Sequence, residues 1–316
     1  MNVLTMIPRG RTMAGGSATA LPTPFNEDRI DQESLARLCE RHIDRGTSAL
    51  VVCGSTGEAA SLRTEEYRLA IQVVVEAAAC RVPVMAGCGA LSTEGAVELA
   101  AIAAQSGAAA LLCAPPPYVK PTQYGIVGHV TAVRNASGLP IMMYDVPSRT
   151  GIGIANATLA LLFEHGFIFG LKDATADLAR PTRLRALCGS GFLQMSGDDA
   201  TAAAYRAAGG DGCVSVTANV APGLCSLMHR SWDGGDLSTF ANVRDWLAEV
   251  NDLLFIESNP IPLKAALYTL GLAEAAVRLP LTLASRETYQ RLAEPIAALT
   301  AMEEAVVARR GLALAS

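Results

Sequence analysis

Long apolar runs are missing from this 316-residue chain. None reaches the roughly 18 to 20 residues a membrane-spanning helix needs. The longest candidate, from Thr158 to Leu171, is interrupted by Glu164, His165 and Gly166. A basic excess is missing too: the formal net charge is −5, which argues against a general nucleic-acid binder. No Cys-x-x-Cys occurs among the eight cysteines, Cys39, Cys53, Cys80, Cys88, Cys113, Cys188, Cys213 and Cys225. Most sit inside apolar stretches and read as buried thiols, neither disulfides nor zinc ligands. Such usage fits a reducing, cytoplasmic compartment. His42, His129, His165 and His229 lack metal-ligand spacing, so no metal or cofactor is expected. Residues 1–12 hold Arg9 and Arg11 but no long apolar stretch. They read as a loose tail and not as a secretory signal, with Met13 an alternative start. What remains is an enzyme acting on small molecules or a soluble binding protein.

What is present is alternation. At 51 % apolar residues the chain can fill one large core or two small ones. Short runs rich in Val, Ile, Leu and Ala recur at Ser17–Leu21, Ala49–Cys53, Val82–Gly87, Ala109–Ala114, Pro140–Val146, Ile168–Lys172, Phe192–Ser196 and Cys213–Thr217. Each ends in a polar or glycine-containing loop and is followed by a helical stretch. Runs of this kind are strands buried on both faces, as in a parallel sheet. Asp31–Gly46 places Leu35, Leu38, Cys39 and Ile43 on one helical stripe. Ser92 is a good N-cap with Glu94 in the first turn. Val97, Ala101 and Ala104 then predict the buried face of that helix, and Gly107 suits its C′ position.

Eight β-then-α units predict an α/β (β/α)8 TIM barrel. A doubly wound open sheet is the alternative, but no G-x-G-x-x-G follows the first strand. After about residue 222 only helical patterns follow, at Leu237–Phe255, Ile261–Leu270 and Arg286–Arg309, with the Ser258–Pro262 stretch joining two of them. The predicted organisation is a tail (1–12), a barrel (13–232) and a C-terminal helical appendage (233–316).

A TIM barrel builds its active site at the C-terminal ends of the strands. Polar residues at those ends are Gly54-Ser55-Thr56-Gly57-Glu58, Tyr144 to Gly151, Gly170 to Thr175, and Ser196-Gly197-Asp198-Asp199. Lys172 closes a run that should be buried, where a charge is costly unless paired. Burial disfavours the ammonium form of a lysine, and a neutral amine attacks carbonyls. A salt bridge to Asp173 or Asp199 would also account for its position. Tyr144 ends an apolar strand and can donate and accept protons, or it can be a core tyrosine with a satisfied hydroxyl. Ser55 and Thr56 suit a carboxylate at a helix start, or simple capping. Arg149 is a fork for a substrate carboxylate, or a solvated loop arginine. Asp198 and Asp199 would repel a phosphate in the strand-seven loop, where many barrels bind one.

In order and at barrel-strand spacing, Gly54-Ser-Thr-Gly-Glu58, Tyr144-x-Val-Pro-x-Arg-Thr-Gly151, Gly170-x-Lys172-x-x-Thr175 and Ser196-Gly-Asp-Asp199 resemble the dihydrodipicolinate synthase and N-acetylneuraminate lyase family of Schiff-base aldolases. The resemblance runs from about Gly16 to the end of the appendage. Arg149, the Ser215-Val-Thr-Ala-Asn-Val220 loop and Ser258-Asn-Pro-Ile-Pro262 are similar to the synthase branch.

The resemblance implies condensation of pyruvate with L-aspartate 4-semialdehyde to 4-hydroxy-tetrahydrodipicolinate, on the diaminopimelate route to lysine. It implies Lys172 as the imine-forming residue and Tyr144, Ser55 and Tyr118 as a proton relay, Tyr118 coming from a neighbouring subunit. Thr56 would hold the pyruvate carboxylate, Arg149 the aldehyde's carboxylate, and Gly197 and Val214 would line the pocket. A homo-oligomer follows: a dimer for the relay, and a homotetramer as the usual assembly.

The chain departs from the synthase pattern at Ser55, where threonine is usual. At Pro117 it lacks a second tyrosine that normally belongs to the lysine feedback site. Ala59, Ala60, Thr64, Tyr67, Leu91 and Gly95 match the other positions of that site, and two histidines, an asparagine and a glutamate of the enterobacterial pattern are missing. Weak or absent feedback by lysine is therefore expected. The alternatives are another pyruvate-dependent lyase or dehydratase of the same barrel, acting on a 2-keto-3-deoxy sugar acid, and a non-catalytic member.

Overall fold

The eight apolar runs become eight parallel strands of a closed barrel: Gly16–Ala20, Ala49–Val52, Val84–Gly87, Ala110–Cys113, Ile141–Asp145, Ile168–Asp173, Leu193–Ser196 and Gly212–Ser215. The computed structural model describes residues 4–7 and 11–314. Strands neighbour one another in chain order, and the barrel closes where Val214 of the last pairs with Ala18 of the first. Strand ends differ from the sequence reading by one or two residues. The two-residue shifts are at the start of the third strand and at the end of the last, where Thr217–Asn219 forms a 3-10 turn.

Burial on both faces explains why the runs are apolar throughout. The inner face carries Ala18, Ala20, Ala49, Val51, Met85, Ala110, Leu112, Met142, Phe169, Leu193, Met195 and Val214. Small residues on the first two strands leave volume for three methionines and Phe169, so the interior is filled and forms no pore. The outer face, with Leu50, Val52, Val84, Leu111, Ile141 and Leu171, packs under the helices.

The helices follow their caps. The Asp31 carboxylate accepts from Ser34 N at 3.0 Å, and Leu35, Leu38 and Cys39 are buried behind it. Ser92 Oγ accepts from Gly95 N at 3.1 Å. The helix it starts, Thr93–Gln105, buries Ala96, Ala100 and Ala103. The expected face of Val97, Ala101 and Ala104 is instead half-buried, one residue out of phase. Apolar side chains surround this helix, so hydrophobicity alone does not set its rotation.

After Pro222–Asp233 the chain continues as Leu237–Leu253, Ile261–Thr269 and Arg286–Leu314. The last helix is tied to the barrel through Glu303, which is fully buried. Its carboxylate accepts from Gly223 N and Leu224 N, each at 2.8 Å, and from Arg45 at 2.9 Å. A carboxylate at these N-terminal N–H groups satisfies donors the helix cannot. Before the barrel, Leu4–Ile7 pairs antiparallel with Arg11–Ala14, and the rest of the segment read as a tail, residues 1–3 and 8–10, lies outside the described residues. Among the described residues no helix is long and apolar enough to cross a membrane.

Arg278 makes a further long-range tie. Its guanidinium lies 4.3 Å over the Phe25 ring and donates to both oxygens of Glu66 at 2.6 Å. That bidentate hydrogen bond, opposed by burial, holds the Glu66 carboxyl down at about 2 from an ordinary 4.5. A carboxyl depressed by folding stabilises fully above its unfolded value, and the contribution is lost as pH falls toward the folded one. Glu66→Gln should therefore flatten the stability curve between pH 4.5 and 2, measured by denaturant midpoints across that range. An unchanged acid limb would show that the pair contributes nothing.

Candidate active site

Strict alternation from the inward-facing Phe169 would turn Lys172 out of the barrel. The ladder to the fifth strand prevents this: Ile168 pairs with Ile141 but Gly170 already pairs with Met142, so one extra residue is absorbed between them. A bulge of this kind re-aims the side chains beyond it. Leu171 then faces the helices, and Lys172 comes into register with Tyr144. Glycine is required at 170, since a Cβ there would sit 2.3 Å from the Leu193 carbonyl oxygen.

Lys172 is buried at 6 % exposure, with Nζ 4.5 Å over the Tyr144 ring. Neither aspartate weighed as its partner takes that role. Asp173 accepts from Arg180 at 3.2 Å and from Thr175. Asp199 accepts from Val216 N at 2.8 Å and from the Ser215 hydroxyl. The chain has three lysines; Lys120 is exposed and Lys264 is bound to Glu58. Lys172 alone is buried with no carboxylate at salt-bridge distance among the described residues.

The other residues singled out lie at the same C-terminal ends of the strands. A Cβ on Gly197 would lie 3.0 Å from both Lys172 Cε and Ala174 Cβ, so glycine lets the seventh-strand loop rest on the lysine stem. Val214 joins the inner layer next to it. Thr56 is buried, and its Oγ1 accepts from Asn259 Nδ2 at 2.9 Å. Arg149 is exposed and donates through Nη2 to the Asn259 carbonyl at 3.3 Å. The Ser258–Pro262 stretch thus reaches back to the barrel mouth and touches two residues singled out in the loops after different strands. Ser55 is half-buried, and Tyr118 is 91 % exposed with a φ of 73°. Among the described residues no hydrogen bond within one chain joins Tyr144, Ser55 and Tyr118.

Residues 13–299 match the dihydrodipicolinate synthetase family. This chain belongs to that family. The 4-hydroxy-tetrahydrodipicolinate synthase of Acidiphilium cryptum is 46 % identical over 270 residues, spanning 85 % of this chain and 92 % of that one. The dihydrodipicolinate synthase of Aquifex aeolicus superposes with a TM-score of 0.88 at 38 % identity, covering 90 % and 98 % of the two chains. That of Acinetobacter baumannii, crystallised in complex with pyruvate, gives 0.87 at 39 %, covering 90 % and 99 %.

Two charged groups around this family's site escaped the sequence reading. Arg180 is buried behind the strand ends and donates to Asp145 at 2.7 Å as well as to Asp173. One guanidinium therefore ties the residue after Tyr144 to the residue after Lys172. Burial pushes the Asp145 carboxyl up, and Arg180 opposes it. The second group anchors the Gly54–Glu58 turn. Glu58, in a left-handed conformation at φ 52°, forms a buried ion pair with Lys264 and accepts from Arg278 N at 2.9 Å. Lys264 also donates to the Ala276 carbonyl at 2.7 Å and lies 4.2 Å over Phe25. Burial lowers Lys264 to about 8, against the pull of Glu58. The missed signal was a lysine inside the apolar run Ile261–Leu267, the same feature that singled out Lys172.

Breaking one side of such a pair strands a buried charge. Lys264→Met should cost about 3–5 kcal/mol, and adding Glu58→Gln should recover much of it. Denaturant unfolding of the singles and the double reads this directly. A double variant as unstable as the sum of the singles would mean the two groups are not coupled.

Proposed function

We propose that this chain condenses pyruvate with L-aspartate 4-semialdehyde to give 4-hydroxy-tetrahydrodipicolinate, in the cytoplasmic route to diaminopimelate and lysine. The observation that carries the reading is a buried lysine without a counter-ion, lying across a tyrosine at the C-terminal mouth of a family barrel.

In this mechanism Lys172 Nζ attacks the ketone carbon of pyruvate, water leaves and an imine forms. Asn259 occupies an acceptor site of Thr56 Oγ1, which leaves the Thr56 proton to donate to the pyruvate carboxylate. Backbone N–H groups of the Gly54–Glu58 turn assist, and Gly197 and Val214 line the pocket. Loss of a methyl proton gives an enamine, with the protonated imine accepting the electron pair. The enamine carbon adds to the aldehyde, whose carboxylate is oriented by Arg149. The amino group of the semialdehyde then displaces Lys172, closing the ring and freeing the amine. Tyr144 carries protons in these steps through Ser55 and the Tyr118 of a second copy.

An exposed Tyr118, with exposed Leu91, Val119 and Tyr124 on neighbouring segments, supports a second copy at this rim. A dimer, usually doubled to a tetramer, is part of the proposal, as is the division into barrel (13–232) and appendage (233–316). No observation favours a sugar-acid lyase.

Turnover with pyruvate and a panel of aldehydes tests the substrate assignment. Aspartate semialdehyde should be used fastest, and a 2-keto-3-deoxy sugar acid turned over far faster would overturn it. Arg149→Met should lower kcat/KM for the semialdehyde roughly 10- to 100-fold, the worth of a charged hydrogen bond, with little change in the KM for pyruvate. Equal losses for both substrates would remove Arg149 from the aldehyde site. L-Lysine should inhibit weakly or not at all. Tyr67, at one of the matching effector positions, is buried with its hydroxyl donated to the Gly87 carbonyl at 2.9 Å. Strong inhibition at sub-millimolar lysine would contradict this.

A further inference from the structure

A thiol cluster lies just outside the barrel wall, under the helices that follow the third and fourth strands. The ladder pairs Gly87 with Leu112, and Cys88 N donates to the Leu112 carbonyl at 3.0 Å. This register sets Cys88 beside Cys113 on the outer face, both fully buried. Cys113 Sγ lies 3.6 Å from His129 Nε2, and His129 Nδ1 lies 3.0 Å from Thr93 Oγ1. The histidine is thereby oriented with one nitrogen on a hydroxyl and the other on a sulfur, an arrangement that generates thiolates.

The electrostatics separate this cysteine from the others. The neighbouring Cys88 thiol, with His129 adding to it, pulls the Cys113 thiol below the ordinary range despite burial. Burial pushes Cys39, Cys53, Cys213 and Cys225 upward. The cluster is also close to solvent: Gly89, next to Cys88, and Thr93, at the far side of His129, are both exposed. Neighbouring strands are about 4.8 Å apart, inside the roughly 4.4–6.8 Å Cα separation a disulfide spans.

We propose that Cys88 and Cys113 are an oxidisable dithiol, which a small hydroperoxide converts to a disulfide that restrains the loop from Ala114 to Lys120. The Cys113 sulfur attacks a peroxide oxygen, forming S–O as O–O breaks. The leaving oxygen takes the proton that His129 received from the Cys113 thiol. The Cys88 sulfur then attacks the sulfenic sulfur, forming S–S, and the hydroxyl leaves as water with the Cys88 proton. Two thiols lose two electrons and the O–O bond gains them. The loop restrained at Cys113 carries Tyr118, so turnover should fall. That consequence rests on the relay role proposed for Tyr118, but the oxidation chemistry does not.

The test treats the reduced full-length protein with hydrogen peroxide, alkylates the remaining thiols and maps the peptides by mass. A peptide linking Cys88 to Cys113 is expected, reversed by dithiothreitol, with turnover falling several-fold and returning in step. Cys88→Ser should match the parent's initial rate and lose only the reversible response, its Cys113 proceeding to higher oxides. Both thiols remaining alkylatable while the exposed Cys80 is oxidised would overturn the proposal, as would a bridge from either to Cys53. A Cys88–Cys113 bridge with unchanged turnover would overturn the restraint on the loop. A protein that forms the bridge but never turns over pyruvate would count against the assigned reaction and leave the dithiol standing.

Discussion

The direction of one side chain governs the chemistry available at this barrel mouth, and a one-residue bulge sets that direction. Between Ile168 and Gly170 the sixth strand takes up an extra residue against the fifth. Everything beyond it is reversed relative to simple alternation. Lys172 turns in, onto Tyr144, and Asp173 turns out, where Arg180 binds it together with Asp145. The bulge depends in turn on Gly170, where the Leu193 carbonyl leaves no room for a side chain. A buried amine is costly to form in the absence of a counter-ion. The closed barrel supplies what overrides that cost, because its strand ladders hold Lys172 in place on both sides.

The helices after the barrel are part of the same arrangement. Asn259 reaches Thr56 across a separation of 203 residues, and Lys264 reaches Glu58 across 206. Both contacts fall on the Gly54–Glu58 turn, at the C-terminal end of the second strand. That turn is therefore held from outside the barrel, by a short run that itself ends in a buried ion pair. Rigid support of this sort is what keeps a reacting group within reach of its target.

Much of this was legible in the sequence, for identifiable reasons. Strands buried on both faces leave unbroken apolar runs, so all eight were visible. The order of polar residues at their ends was enough to suggest the family. Rotation of the alanine-rich helix Thr93–Gln105 was not legible, since its small apolar side chains surround it. Arg180 and the contact of Asn259 with Thr56 were not legible, because a lone arginine or asparagine in a polar stretch carries no signal of burial or of its partner. Lys264 could have been found, because Leu263 and Ala265 flank it as Leu171 flanks Lys172. The bulge had a trace in Gly170, but only the ladder shows which way it turns the chain.

In the proposed mechanism Lys172 is the amine that bonds to pyruvate. With only Lys120, Lys172 and Lys264 in the chain, borohydride reduction in the presence of pyruvate followed by peptide mapping gives an unambiguous result. One reduced pyruvate per chain is expected, located on Lys172 and absent from Lys172→Met. An adduct on Lys120 or Lys264, or none on the intact protein, would contradict it.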